Sequence, residues 1–164
     1  MLEYDYMIKV VLIGDETEGK TYFASKFCED FFVTNYKFTI GIGFYVKTVN
    51  VLGKLIKLQL WDLTDEEKFK TLFSLYFKGA LGAIIISDIS KPDFRNSIDK
   101  SIQRINEEIG DIPIIFLTFN GKSREFQTVF GVETMFTADL YDDSSLTEIR
   151  SIPIQSFWVL VLML

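Results

Sequence analysis

The stretch "LIGDETEGKTYF", Leu12 to Phe23, decides the fold. It fits the pattern GxxxxGK[ST] through Gly14, Gly19, Lys20 and Thr21. Such a loop joins a β-strand to a helix and turns backbone N–H groups towards an anion. The apolar run "MIKVVLI" predicts the strand, and "KTYFASKFCEDF" has the apolar spacing of a helix. This order predicts a phosphate site at the helix N-terminus, with an accidental glycine-rich turn as the alternative.

Composition limits the class of protein. The 164 residues are enough for one domain, residues 1–164, and 48% hydrophobic content with 24% charged residues predicts a folded chain. A net charge of -6 without a dense basic block argues against a nucleic-acid partner. The chain has no His and a single Cys, Cys28, which excludes His-based triads and Cys or His zinc clusters.

The two ends of the sequence bear on location. The start "MLEYDYMIKVVLIG" lacks the pattern of a signal peptide, and we therefore expect a cytoplasmic protein, or one that reaches a membrane surface through a partner. The last eight residues, Phe157 to Leu164, are all apolar but far fewer than the roughly 20 that cross a bilayer. They are interpreted as buried core or as an exposed apolar end that binds a partner or a membrane surface.

Strands and helices alternate along the chain. The runs "FYVKTVNV" and "LIKLQLWD" flank Leu52-Gly53-Lys54 and predict two antiparallel strands joined by a tight turn. Gly82 to Asp88 and Ile112 to Phe119 are continuous apolar runs of the buried parallel type. Between them, apolar residues at three- and four-residue steps predict a helix over Asp93 to Ile109. A last strand is expected in "VETMFTA", and a final helix near Leu146. We expect a parallel α/β sheet with one antiparallel edge strand.

The motif also predicts a metal site. In a phosphate loop of this kind the lysine, Lys20, reaches the outer phosphates, and the hydroxyl of Thr21 binds Mg²⁺. Asp62, at the end of "LQLWD", is placed to supply a carboxylate ligand directly or through water. The alternative for Asp62 is a strand-end residue that caps the following turn.

Three further segments carry a family resemblance. They are "YKFTIGIGF", "KLQLWDLTDEEKF" and "GAIIISDISKPDFRNS". With the phosphate loop, they make the chain from about Ile8 to Ile149 resemble the small GTPases of the Ras superfamily, most closely the Rab branch. The resemblance implies a three-layer P-loop NTPase fold with a mostly parallel six-stranded sheet and about five helices. It also implies a switch that binds GTP or GDP with Mg²⁺ and recruits effectors when loaded with GTP.

Site residues follow from the same resemblance. The phosphate-binding set it implies is Thr17, Glu18, Gly19, Lys20, Thr21 and Thr39. The Mg²⁺ ligands are Thr21, Thr39 and Asp62. The base-binding set is Phe32, Asn120, Lys122, Thr137 and Ala138. Effectors or regulators are expected to bind Tyr36 to Phe44 and Glu67 to Tyr76, in the second case through Phe69, Leu72, Phe73 and Tyr76. The chain as given has no cysteine for a prenyl anchor.

Several positions depart from the family pattern. The family's D-x-x-G-Q is replaced by "DLTDE", so Asp65 stands where a glycine N–H meets the γ-phosphate. Glu66 stands at the position of the glutamine that orients the attacking water, which makes it the candidate catalytic residue. It is a poor candidate, because the phosphate repels its carboxylate. Glu16 adds a carboxylate to the phosphate loop. The interaction energy of two unit charges about 4 Å apart is roughly 1–4 kcal/mol.

The base-recognition segment departs as well. "TFNGKSRE" holds Asn120, Lys122 and Glu125 at a stretched spacing and lacks the family's Asp, and Asp139 replaces the lysine of a later turn. Two functions therefore stay open. One is a GTP-binding switch with slow or impaired hydrolysis, and the other is an interaction module that keeps the fold without nucleotide turnover. An ATP-using P-loop enzyme is a weaker third, because nothing resembles a substrate-binding insertion.

Overall fold

The computed structural model describes residues 4–14, 20, 24, 27, 28, 42–63, 70–88, 91–119 and 135–137. Their strands form one six-stranded sheet. In chain order the strands are β1 Tyr6–Gly14, β2 Ile42–Val51, β3 Lys54–Leu63, β4 Gly82–Asp88, β5 Ile114–Phe119 and β6 Met135–Thr137. Their spatial order is β2-β3-β1-β4-β5-β6, so β1 lies between β3 and β4.

All neighbouring strands are parallel except the pair at one edge. Strand β1 pairs with β3 and β4, and β5 with β4 and β6, all in parallel. Strand β2 runs antiparallel to β3 because a two-residue turn, Leu52 and Gly53, joins them. Both turn residues have positive φ angles, 48° and 80°, which suit the right-handed twist of a hairpin. The Gly53 N–H donates to the Asn50 side chain at 3.0 Å, which helps to close the turn.

Two helices are delimited in the described residues, α1 Lys70–Phe77 and α2 Phe94–Glu108. Lys20, Ala24, Phe27 and Cys28 are also helical, as the pattern after the glycine loop predicts. In α2, Ile105 is fully buried, and Ile98 and Ile102 pack against the same core, as does Ile109 directly after the helix. None of the helices in the described part of the chain has the length and apolarity that a bilayer crossing requires.

The sheet has a hydrophobic core on each face. On one face, Leu12, Leu60 and Ile84 pack with the helical residues Ala24, Phe27 and Cys28. On the other face, Val11, Ile85 and Phe116 pack with Phe73 and Phe77 of α1 and with Ile105 of α2. Side chains alternate across a strand, so neighbouring residues of β1 and β4 serve opposite cores. The described elements therefore form three layers, with helical segments packed on both faces of the sheet.

The sequence prediction of the fold is confirmed in its main points. The α/β class, the mostly parallel sheet and the antiparallel edge strand are as expected. The strand predicted over Ile112 to Phe119 begins two residues later, because Ile112 and Pro113 precede the ladder, and the carbonyl of Pro113 accepts a bond from the Ala83 N–H. The predicted number of helices, the helix near Leu146 and the segment Phe157 to Leu164 concern residues outside those described.

Candidate functional site

The candidate site lies where the carboxyl ends of β1, β3 and β4 meet. Parallel strands bring these ends to the same edge of the sheet, where α/β proteins bind their ligands. The register places Leu12 of β1 beside Asp62 of β3, and Gly14 beside Ile86 of β4. The glycine loop therefore leaves the sheet between the predicted metal carboxylate on one side and the buried strand β4 on the other.

Gly14 permits the close approach of β1 to β4. Its φ is 149°, and a Cβ added there would fall 1.9 Å from the carbonyl oxygen of Ile86. Real Cβ atoms do not come this close to a backbone oxygen, and the backbone of a central strand cannot move aside cheaply. The first glycine of the loop is therefore required by strand packing at the base of the site.

Lys20 is the one residue of the predicted phosphate-binding set whose side chain the structure describes. It is 4% exposed, and its Nζ donates a hydrogen bond to the carbonyl oxygen of Leu63 at 2.7 Å. Leu63 directly follows Asp62 at the end of β3. The contact therefore ties the helix after the glycine loop to the end of β3 and holds a positive charge next to the Asp62 segment.

Asp62 is the described member of the predicted metal set, and it is 7% exposed. It faces Gly43 across the β2–β3 ladder. A carboxylate held at the carboxyl end of a strand, beside the end of β1, is an oxygen ligand of the kind that Mg²⁺ prefers. Within the described ranges no group of three or more Cys, Asp and Glu side chains could hold a metal ion. Any Mg²⁺ here would therefore need oxygen ligands from outside those ranges, as the predicted Thr21 and Thr39 would supply.

Tyr45 and Cys28 lie on the same face of the sheet as Asp62 and are buried. Burial raises the pKa of the Tyr45 hydroxyl, and the nearby Asp62 carboxylate and Cys28 raise it further. Burial also raises the pKa of the Cys28 thiol, to about 12, although Lys47 nearby opposes the shift. A thiol with this pKa is protonated at neutral pH and is a poor nucleophile. Cys28 is therefore a core residue.

An aromatic cluster, formed by Phe44, Trp61 and Tyr76, covers the other face of the sheet near the site. The rings of Phe44 and Trp61 have centroids 4.9 Å apart at an edge-on angle of 66°, and Trp61 and Tyr76 are 5.7 Å apart. All three side chains are half-buried. The Nε1–H of Trp61 is buried and has no hydrogen-bond acceptor among the residues that the structure places. The cluster joins β2 and β3 to α1.

Lys9 supports this cluster from β1. Its Nζ lies 4.5 Å from the centre of the Trp61 ring and donates to the carbonyl oxygen of Lys78 at 2.9 Å. Lys78 directly follows α1, so the ammonium group sits at the negative end of the helix dipole. Burial lowers the pKa of Lys9. Lys9 thus links the central strand, Trp61 and the end of α1.

One residue of the predicted effector surface is in the core. Phe73 is 4% exposed, because it packs against Phe77 at 5.9 Å and under the Arg104 guanidinium at 3.7 Å. The prediction that a partner contacts Phe73 is therefore wrong. In the same helix, Tyr76 is half-buried and Leu75 is 65% exposed, so these two offer the contact area. Helical periodicity places residues 73 and 77 on one face and 75 on another.

Most of the other predicted site residues lie outside the described residues. This holds for Thr17, Glu18, Gly19, Thr21, Phe32, Thr39, Glu66, Asn120, Lys122 and Ala138, and for Glu16 and Asp65. Thr137 is described only as part of β6, which pairs it with Thr118 of β5. The base-binding and catalytic predictions thus stay predictions.

Sequence reasoning missed three residues near the site, namely Lys9, Tyr45 and Trp61, and it assigned Gly43 only to a partner-binding segment. Lys9 interrupts the apolar run of β1, and Trp61 precedes Asp62 in "LQLWD", so both carried a visible signal. Gly43 and Tyr45 carried none, because their role depends on which residues face each other across β2 and β3. Cross-strand register is a tertiary property that a single strand does not reveal.

Comparison with known proteins places these observations in a family. The model of the Ras family matches residues 9–130, well over half of the chain. GTP-binding protein YPTM1 of Zea mays is 40% identical over 109 residues, which are 66% of this chain and 52% of that protein. Ras-related protein SEC4 of Saccharomyces cerevisiae is 36% identical over 126 residues, or 77% of this chain and 59% of that protein.

A third relative, Ras-related protein RABE1d of Arabidopsis thaliana, is 38% identical over 109 residues, which are 66% of this chain and 50% of that protein. The chain thus spans about half the length of the curated relatives it matches. The matched part begins at Lys9 within β1 and runs past β5, and it includes Gly14, Lys20 and Asp62.

Proposed function

This chain belongs to the Ras family, as a Rab-like member, and from that premise we propose that it is a switch that binds GTP or GDP with Mg²⁺. The observation that carries the proposal is the position of Lys20. Its buried ammonium group lies at the start of the helix after the glycine loop and is bonded to Leu63, the neighbour of Asp62. A lysine and an acidic metal ligand at one sheet edge are the pair that Mg²⁺-dependent phosphate binding requires.

Each residue has a distinct task in this proposal. The backbone N–H groups from Thr17 to Thr21 would surround the phosphates, and Lys20 would bind the outer ones. Thr21, Thr39 and Asp62 would supply oxygen ligands to the metal. A Mg²⁺ ion held by these residues would neutralise negative charge on the phosphates. Thr39 belongs to a predicted switch segment, so its oxygen would be available only when a third phosphate orders that segment.

Hydrolysis is proposed to be slow or impaired. Asp65 and Glu66 replace the glycine and glutamine of the family pattern, and Glu16 adds a third carboxylate near the expected γ-phosphate. Repulsion between a carboxylate and a phosphate opposes both close approach and water activation, at roughly 1–4 kcal/mol for a contact of about 4 Å. An interaction module without turnover is the second candidate, and the same three residues favour it.

The partner surface is proposed from the aromatic cluster. Phe44 and Tyr76 are the ends of the two segments predicted to bind effectors, and Trp61 joins them in the structure. Aromatic side chains are enriched in protein interfaces. A partner that engages both segments would sense any nucleotide-dependent change between them. Such a partner could also bring the protein to a membrane surface.

The decisive experiment identifies the nucleotide that copurifies with the protein. The protein is purified without added nucleotide, denatured, and the released ligand is separated by ion-exchange chromatography. We expect GDP or GTP at close to one per chain, and loss of the ligand after incubation with EDTA. An empty protein that also shows no Mg²⁺-dependent binding of labelled GDP would overturn the proposal. Retained ATP would instead support the P-loop ATP enzyme.

Hydrolysis is tested separately by single-turnover phosphate release from bound GTP. We expect a rate slower than that of an unassisted Ras-family protein, and less than a tenfold gain in Glu66→Gln, because Asp65 and Glu16 remain. A fast wild-type rate would remove the interaction-module candidate. A large gain in Glu66→Gln would show that Glu66 alone limits the reaction.

A further inference from the structure

A groove follows the outer side of α2. Its volume is about 440 Å³. The described residues that line it are Asp99, Ile102, Gln103, Asn106 and Glu107. Steps of three and four residues connect them, the spacing that places side chains on one side of a helix. Arg104 points to another side, because its guanidinium carbon lies 3.7 Å from the centre of the Phe73 ring in α1. The groove is therefore separate from the contact between α1 and α2.

The groove combines an apolar surface with a polar rim. Most of the surface inside it is apolar. Ile102 is half-buried there, while the other four lining side chains are exposed. A long polar side chain such as Gln103 or Glu107 can lay its aliphatic part along a surface and keep its polar end in water. The groove therefore offers contact area to an apolar side chain and hydrogen-bonding groups to a polar one.

Two carboxylates stand at the two ends of the groove. Asp99 and Glu107 lie about 12 Å apart along the helix axis. Neither forms an ion pair with a lysine or arginine in the described ranges. Glu107 accepts a hydrogen bond from Nε2 of Gln103 at 2.7 Å, which restrains its carboxylate. An ionised carboxylate has about four acceptor sites, so both groups can still bind a cationic side chain.

The charges of α2 are opposed to its dipole. The first turn contains Arg95 and no acidic residue, and the last turn contains Glu107 and Glu108 and no basic residue. Helices are stabilised by negative charge at the start and positive charge at the end, so this order costs stability. A solvated face without a partner has no need of it. Departures from a local rule are expected at functional sites, and a cationic partner would relieve this one.

We propose that the groove binds a positively charged amphipathic helix of a partner protein, with basic side chains on Asp99 and Glu107 and an apolar side chain on Ile102. Basic residues seven positions apart on one helix face are about 10 Å apart, and their flexible side chains span the remaining distance. Amphipathic helices bind in apolar grooves, and charge complementarity sets their orientation. This surface is distinct from the aromatic cluster, and its use does not depend on a bound nucleotide.

The test uses the full chain labelled with ¹⁵N and a synthetic helical peptide as the probe. The peptide carries two arginines seven residues apart and leucines between them on the same face, and a scrambled peptide of identical composition is the control ligand. Binding is measured at physiological salt, with GDP and Mg²⁺ present throughout. We expect saturable binding of the helical peptide, with the largest amide shifts from Asp99 to Glu107.

Two double variants compare the groove with its surroundings. Exposed ion pairs contribute modestly, so Asp99→Asn with Glu107→Gln should weaken peptide binding about tenfold in total. Glu108→Gln with Asp111→Asn removes the same charge from exposed residues that do not line the groove, and we expect peptide affinity within about twofold of the wild type. The midpoint of thermal unfolding checks that both variants are folded.

The outcomes decide whether the groove is a binding surface. If the helical peptide does not bind, or if its amide shifts lie away from α2, the proposal is wrong. Equal binding of the scrambled peptide, or equal weakening in the two double variants, would also overturn it, since either result indicates a general effect of negative charge. A chain that binds no guanine nucleotide but binds the peptide in the groove would leave this proposal standing while the proposed function fails.

Discussion

Asp62 and Trp61 are neighbours on β3, yet they belong to two different surfaces. Asp62 points to the face that holds Tyr45, Leu12 and the helix of Lys20, where it is 7% exposed and surrounded by buried groups. Trp61 points to the opposite face, where its ring contacts Phe44, Tyr76 and Lys9 and stays half-buried. One face holds a buried carboxylate away from water, and the other presents a half-buried aromatic surface.

The difference shows how one strand can join ligand binding to partner binding. Successive residues of a strand point to opposite sides, so a shift of β3 along its axis moves Asp62 and Trp61 together. Lys20 is bonded to the carbonyl of Leu63, the next residue, and Lys9 connects Trp61 to the end of α1. A displacement of the end of β3 would therefore move Asp62 on one face and Trp61 on the other together.

The largest expected effect comes from Gly14→Ala, which should damage both faces. Its Cβ would lie 1.9 Å from the Ile86 carbonyl oxygen, so β1 and β4 must separate. We expect a loss of about 3 kcal/mol or more in the free energy of unfolding, measured by urea denaturation. Gly53→Ala is the matched control, because no atom lies within 4 Å of its added Cβ and only the positive φ of 80° opposes it. There we expect a loss of about 1 kcal/mol.

A smaller effect, confined to one face, is expected from Trp61→Ala. The substitution removes the contacts to Phe44, Tyr76 and the Lys9 ammonium group. For a half-buried ring we expect a loss of about 2 kcal/mol in the free energy of unfolding at a fixed nucleotide concentration. Nucleotide affinity should stay within twofold. Leu75→Ala, at a 65% exposed residue, serves as control with a change of about 0.5 kcal/mol or less.

The separation of the two faces would be contradicted if Trp61→Ala lowered nucleotide affinity as much as Lys20→Ala does. Unchanged stability in Trp61→Ala would show instead that the aromatic contacts do not hold α1 on the sheet.

On the Asp62 face, Lys20→Ala should weaken nucleotide binding at least tenfold, which corresponds to about 1.4 kcal/mol. The reason is loss of the charge that would bind the outer phosphates. Binding of labelled GDP is measured by calorimetry in the presence of Mg²⁺. Lys47→Ala is the matched control, because Lys47 Nζ also donates to a carbonyl, that of Phe27, at 2.7 Å, while residue 47 pairs with Leu58, four residues before Asp62.

Lys47→Ala should lower the free energy of unfolding about as much as Lys20→Ala does, and it should leave GDP affinity unchanged. If Lys20→Ala behaves in the same way, with normal GDP affinity, then Lys20 serves only to bond Leu63 and the glycine loop does not bind phosphate. That outcome would favour the interaction module over the switch.

Much of the Asp62 face was predictable from the sequence because its residues are marked by local patterns. Gly14 and Lys20 belong to a fixed motif, and Asp62 ends a strand whose period-2 pattern is visible in "LIKLQLWD". The order of the strands along the chain followed from the alternation of apolar runs and helical segments. Neither required knowledge of which strands are neighbours.

The rest could not be predicted because it depends on contacts between distant segments. Tyr45 fills space next to Asp62 only since residue 43 is a glycine and the ladder aligns it with residue 62. Phe73 was assigned to a partner surface because its segment looked exposed, whereas the orientation of α1 buries it. The direction of a long side chain and the rotation of a helix are set by packing, which a single sequence does not contain.

The two-residue turn between β2 and β3 has a consequence for how this chain can vary in length. Leu52 at its tip is 85% exposed, so its identity matters little to the core. The number of residues matters greatly, because it sets the pairing of Val51 with Lys54 and, through an unbroken ladder, of Gly43 with Asp62. If one residue inserted at the tip moved β2 one step along β3, the side chains of β2 would exchange faces, and Phe44 would take the place of Tyr45 on the Asp62 face. A protein engineer could therefore replace the tip residue freely but would have to add or remove residues in pairs.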